Sequence, residues 1–200
     1  MPKPIDAISR SRNRTWKGHL RYVHWLVDNQ VYFITARVRD GFPAFAQDDA
    51  KRVFWTKFEQ YAEQFGFRPW VTSLLDNHYH CLGHLKLGGH LPRFIQRLHG
   101  SVAKLLNDLL PKRIERFWRD HAGKEYFDGC IRSEKQARLA FRYTILQSRR
   151  AGNHSDWRDY PHTRVNVDLD HAVARASELG AFLDGVPCKR FEDARRSPLR

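Results

Sequence analysis

The sequence predicts an α+β fold: a ferredoxin-like antiparallel sheet with helices packed on it. Three observations carry this expectation. Strand and helix signals alternate as strand, helix, strand, strand, helix, strand or strands, helix. The second and third strands are separated only by Asp76 and Asn77, turn residues that suit an antiparallel hairpin. The long helices carry apolar stripes and recognisable stop signals.

The elements follow in order. Asn29 to Asp40, NQVYFITARVRD, is rich in β-branched and aromatic residues and reads as a strand. Asp48 or Asp49 can cap a helix to about Gln64, with Phe54, Phe58, Tyr61 and Phe65 as its stripe and Gly66 as its stop. Phe67 to Leu75 and the run from His78 are the hairpin strands. Pro92 suits the first turn of the next helix, whose stripe is Phe94, Leu98, Val102, Leu105 and Leu109, with Pro111 ending it. Glu115 to Arg132 reads as two short strands around Gly123. Ser133 to Gln136, SEKQ, matches a capping box. It opens a helix with Ala137, Phe141 and Ile145 on one stripe, closed by Arg149, Arg150 and Gly152. The stretch DWRDYPHTRVNVDLD reads as irregular, and a short helix is expected from about His171 to Leu183. The expected organisation is a basic arm over 1–19, one domain over 20–184 and a basic tail over 185–200.

Composition narrows the function. The chain has 200 residues, 42% hydrophobic and 13% aromatic, which suits a folded domain with a substantial core. Lys and Arg total 35 against 22 Asp and Glu, a net charge of +13 that favours a polyanionic partner, most simply nucleic acid. No 18-residue apolar run is present, so no membrane helix is expected. The three cysteines, Cys81, Cys130 and Cys188, form no CxxC pair, which fits a reducing, cytoplasmic setting.

The chemistry is concentrated in LLDNHYHCLGHL, Leu74 to Leu85. Side chains alternate along a strand, so His78 and His80 share a face and Tyr79 points away into the core. At roughly 3.3 Å per residue the two histidines lie about 7 Å apart along the backbone, close enough to lean onto one metal ion. His84 lies about 13 Å beyond His80 and reads as an edge or loop residue. His-x-His alone fits two bonded histidines in a half-buried strand better than a metal site. On the later helix, Tyr143 and Gln147 are four apart and share a face, roughly opposite the Ala137/Phe141/Ile145 stripe. Periodicity alone fits a core tyrosine and a surface amide at least as well.

Together these pieces resemble the HUH endonucleases, and more closely the single-tyrosine (Y1) transposases of the IS200/IS605 type, above all the REP-associated tyrosine transposases. The resemblance runs from about Tyr32 to Pro161. VYFITAR looks like the family's first strand, and NHYH like its Asn-His-x-His. Phe117, Trp118, Tyr126, Phe127, Asp128, Ile131 and Arg132 resemble the pattern before the tyrosine helix, YTILQSRRAG resembles that helix, and Asp159 to Pro161 recurs after it. Leu75-Asp76 replaces the usual Met-Pro, and Gln147-Ser148 replaces Asn-Pro.

The resemblance implies an HUH endonuclease core with helices on both faces of the sheet. It implies a divalent metal, Mg²⁺ or Mn²⁺, held by His78, His80 and Gln147, and Tyr143 as the nucleophile that makes a 5′-phosphotyrosine link to DNA. The expected partner is single-stranded DNA with hairpin ends, handled by a monomer or homodimer. Arg97, Lys104, Arg116, Arg119, Arg142, Arg149 and Arg150 are candidate phosphate contacts. The competing readings are a relative that binds hairpin nucleic acid without cleaving it, and a metal-dependent hydrolase of small phosphoesters.

Overall fold

The structure is a computed structural model that describes residues 26–118, 125–152 and 154–183. The expected arm, the tail, Arg119 and Gly123 lie outside the described residues. Five strands form one antiparallel sheet in the order β4-β1-β3-β2-β5. They are β1 (Gln30–Arg37), β2 (Phe67–Leu74), β3 (His78–Leu85), β4 (Phe127–Cys130) and β5 (Thr163–Val165). The first four reproduce the ferredoxin-like order, with β5 added beside β2. The helices are α1 (Asp48–Phe65), α2 (Leu91–Leu109), α3 (Glu134–Ile145), α4 (Gln147–Arg150) and α5 (Leu169–Glu178).

Alternation along the strands builds two cores, one on each face. Tyr32, Ile34 and Ala36 of β1 and Tyr79 and Cys81 of β3 face α1 and α2, with Phe54, Phe58, Phe94 and Leu98. Val31 and Phe33 of β1 and Leu82 of β3 face α3 and α5, with Ala137, Phe141 and Val173. Each large side chain fully buried here contributes roughly 1.5–3 kcal/mol of burial. A bulge between Pro69 and Val71 turns both Trp70 and Val71 toward the α3 side. Gly83 sits opposite that bulge, where an added Cβ would lie 2.6 Å from the Arg68 carbonyl oxygen and from the Phe67 ring. Only glycine lets the two strands approach so closely.

Several boundaries differ from the sequence expectation. Gln47, not Asp48 or Asp49, occupies the N-cap of α1, and both aspartates lie in its first turn, where they favour the helix dipole. On α2 the buried stripe passes through Ile95, His99 and Leu106, while Leu105 and Leu109 are exposed, because 3.6-residue periodicity drifts away from a fixed three- or four-residue step. Ser133 caps α3 by accepting from the Gln136 N–H, and the Gln136 side chain accepts from the Arg132 N–H, one residue earlier than in a standard box. The Glu115–Arg132 stretch does not pair with itself in the described residues. Trp118 makes one bridge to Val38 and β4 pairs with β1, so both lie along the same strand. The supposedly irregular stretch contains a helical turn (Trp157–Asp159) and β5, which packing against β2 supplies and local sequence does not announce. The final helix starts and ends earlier than expected, because Asp168 caps it by accepting from the His171 N–H.

The hairpin turn is tied down on several sides. The Lys51 ammonium, itself buried, lies 2.8 Å from the Asp76 carboxylate. The Val38 N–H donates to the Asn77 carbonyl, and the Phe45 N–H to that of Asp76. The buried Tyr160 hydroxyl donates to the Leu74 carbonyl at 2.7 Å. These contacts fix the start of β3, where the histidines sit.

Candidate active site

His78 and His80 emerge on the α3 side of the sheet, and their rings lie 5.0 Å apart, centroid to centroid. Register sets their neighbours: Thr35 is opposite His80 and Arg37 is opposite His78. The Nδ1 atom of His80 lies 2.7 Å from the Thr35 hydroxyl, and that of His78 lies 2.6 Å from Asn77 Oδ1. The Asn77 amide nitrogen donates to the Gly41 carbonyl, so its oxygen is the atom facing His78 and can only accept. His78 therefore donates through Nδ1, which leaves the lone pair on Nε2. Thr35 can accept from His80 Nδ1 in the same way. Both Nε2 atoms are buried and have no hydrogen-bond partner among the described residues.

Burial keeps both rings neutral at physiological pH. Desolvation, with the Arg37 charge adding to it, lowers the His78 pKa to about 4. Desolvation first, then His78 and Arg150, holds His80 well below the usual histidine value.

Tyr143 reaches this place from α3. Its ring lies 5.1 Å from His80, edge to face, and 6.0 Å from Phe33, which itself stacks on His80. The expectation that Tyr143 and Gln147 lie opposite the helix stripe is corrected. The sheet-facing residues are Ala137, Ala140, Phe141 and Thr144, and the helix breaks at Leu146, so Gln147 begins a separate turn with only 2% of its surface exposed. The Gln147 amide nitrogen donates to the Tyr143 carbonyl at 2.9 Å, which leaves Oε1 available to accept or coordinate. The Arg150 guanidinium lies 4.9 Å from the centre of the Tyr143 ring. Burial raises the Tyr143 pKa, while Arg150 and a side-chain hydrogen bond from Gln147 oppose the rise.

The residues present fit a divalent ion. Two imidazoles lie side by side on one strand with both Nε2 atoms unpartnered among the described residues, and each has a hydrogen-bond partner at Nδ1, the usual support for metal-ligating histidines. No cluster of three His, Cys, Asp or Glu occurs among the described residues, so any further oxygen donor is Gln147, substrate or water. Among the described contacts no hydrogen bond joins Gln147 to either imidazole; the structure brings it to Tyr143.

The other candidates divide by location. Arg142, Arg149 and Arg150 are exposed on α3 and α4, on the same side as the histidines. Arg97 and Lys104 are exposed on α2, which packs on the opposite face of the sheet, so they do not join this site. Arg116 is exposed in the loop before Phe117. Tyr79 is fully buried, its hydroxyl 3.0 Å from His99 Nε2, as its strand position predicts. His84 bonds Asn29 at the far end of β3. Thr35, Phe33 and Arg37 were not singled out from sequence; their alternation with Val31 marks one face, but only the β1–β3 register aims that face at the histidines.

No protein-family model and no curated protein matches the chain. Among solved structures it is similar to "REP associates tyrosine transposase bound to a REP hairpin", at 14% identity and a TM-score of 0.60, covering 85% of this chain and 93% of that one. It is also similar to a putative transposase from Deinococcus radiodurans, at 14% identity and a TM-score of 0.43, covering 70% of this chain and 98% of that one. Among the described residues no helix is long and apolar enough to cross a membrane. The sheet order, the helices on both faces and the first likeness agree: the chain has the fold of a REP-associated tyrosine transposase.

Proposed function

We propose that this protein nicks and rejoins single-stranded, hairpin-bearing DNA through a covalent link to Tyr143. The observation that carries the reading is the pair of buried, unpartnered Nε2 atoms of His78 and His80, with the Tyr143 ring 5.1 Å from His80. The net charge of +13, the exposed Arg150 beside Tyr143, and the exposed Arg142 and Arg149 on the same helical segments suit a nucleic-acid backbone. The similar transposase structure was solved with a REP hairpin, which makes hairpin DNA the first substrate to try.

His78, His80 and Gln147 would hold Mg²⁺ or Mn²⁺, which when bound supplies positive charge at the phosphoryl oxygens and makes phosphorus more electrophilic. Tyr143 then attacks phosphorus through its phenolic oxygen, and the bond from phosphorus to the 3′ oxygen breaks. The phenol proton ends on the departing 3′ oxygen, giving a 5′-phosphotyrosine and a free 3′-hydroxyl. One phosphodiester replaces another, so the reverse step rejoins strands without ATP. Arg150 lowers the cost of charge developing on the phenol, and Gln147 holds the turn that carries it.

Labelled single-stranded hairpin DNA incubated with the protein and Mg²⁺ or Mn²⁺ should give a covalent adduct on a denaturing gel. The adduct should vanish in Tyr143→Phe. Tight binding by the unaltered protein with no adduct would instead favour a module that only binds.

A further inference from the structure

We infer that Arg37 is a binding residue for the phosphate that is cut, holding a non-bridging oxygen between its guanidinium and the metal-facing side of His78. The inference rests on the DNA-cleaving reading and adds to it a residue that the sequence did not single out. Arg37 ends β1, directly opposite His78 in the ladder and two residues beyond Thr35, so it shares the face from which Thr35 reaches His80. Its guanidinium lies close over the end of the hairpin: a Cβ at Gly41 would sit 3.3 Å from its Nη2 and 3.7 Å from the Asn77 amide nitrogen. The same Asn77 holds His78.

The electrostatics of this corner are unbalanced. Arg37 Nε is buried with no hydrogen-bond partner, and no ion pair involves Arg37 among the described residues. The nearby acid, Asp76, is already engaged by Lys51. A guanidinium left without an anion in a partly buried position is costly. A divalent cation on the adjacent imidazoles would raise that cost further unless an anion lay between the two charges. A phosphodiester supplies one, and the planar fork of arginine matches two of its oxygens. The exposed arginines of α3 and α4 differ, since each is open to water and suits backbone contacts along the strand.

Two measurements test this. In metal-free buffer with chelator, the ¹⁵N signal of the Arg37 Nε–H, assigned by its loss in Arg37→Lys, is followed during titration with hairpin-bearing single-stranded DNA and with the dinucleotide TpT. It should shift with both, and not with thymidine, which lacks the phosphate. An unmoved signal when other amide signals report saturation, or no binding at all, overturns the inference whether or not the protein cleaves. With metal present, Arg37→Gln should slow adduct formation by about 10²–10³-fold, the usual effect of losing one preorganised donor. Its overall DNA affinity should change by less than about threefold, because many other basic groups contact the backbone. Arg37→Lys should recover only part of the rate. An Arg37→Gln adduct rate equal to that of the unaltered protein also overturns it. Absence of any adduct in the unaltered protein overturns the cleavage reading instead, and the NMR titration still decides the role of Arg37.

Discussion

The sheet carries a tyrosine–histidine pair on each face, and the two are built differently. On the α1/α2 side, Tyr79 and His99 are both buried, and the Tyr79 hydroxyl lies 3.0 Å from His99 Nε2. Trp118 stacks on His99 at 4.3 Å, and Tyr126 closes the edge. On the α3 side, His80 is buried but Tyr143 is half-open, the rings meet edge to face, and His80 Nε2 is left facing the site. His99 also keeps one unpartnered nitrogen, Nδ1, so an orphaned atom alone does not distinguish the two. The difference lies in what can reach it. His99 is enclosed by aromatic rings, whereas His80 has a second imidazole beside it, a tyrosine ring against it and the Arg150 guanidinium nearby. The first pair is packing, and the second is the pair on which the proposed reaction rests.

That contrast can be broken by substitution. Tyr143→Phe should remove the adduct entirely and leave the urea midpoint almost unchanged, whereas Tyr79→Phe should keep the adduct and lose about 1–2 kcal/mol of stability with its buried hydrogen bond. Loss of the adduct in Tyr79→Phe would merge the two pairs into one system. Next in size, His80→Ala should abolish binding of Mn²⁺ measured by electron paramagnetic resonance, and persistence of that binding would remove the histidines from the metal site.

Acid should weaken both faces, because burial lowers the pKa of His78 and His80 as well as of His99, and a substitution at His99 isolates the α1/α2 side. Burial lowers the His99 pKa to about 3, below the usual 6.5 of the unfolded chain. The unfolded state therefore takes up the proton first, and the contribution of neutral His99 is complete above about pH 6.5 and declines as pH falls toward 3. Between pH 7 and pH 5 this amounts to about 2 kcal/mol, and His99→Phe should flatten the urea-midpoint profile by that amount. An effect of similar size is expected from Asn77→Ala, which frees the His78 ring to change tautomer and should weaken Mn²⁺ affinity about 10–100-fold without unfolding the protein. Unchanged affinity would mean that Asn77 matters only for the turn.

Much of this was legible in the sequence because it follows from short-range periodicity. The hairpin at Asp76-Asn77, the stop at Gly66, the cap at Ser133 and the opposite faces of His80 and Tyr79 each depend on residues a few positions apart. What was not legible depends on pairing across the sheet. Thr35, Phe33 and Arg37 look like ordinary strand residues until β1 is set in register with β3. The three residues of β5 carry too little alternation to be read and exist because β2 offers them an edge. The face of Gln147 does not follow from helical spacing, because the break at Leu146 turns the residues after it.

The two ends of the sheet have a further consequence. Three strands of eight residues are flanked by one of four and one of three, and Pro69 on β2 has no N–H to offer beside the short β5. Among the described residues, neither outer strand is long enough to offer an extended row of free backbone donors and acceptors. A chain with a net charge of +13 would carry mutual repulsion into any encounter with a second copy unless nucleic acid screened it.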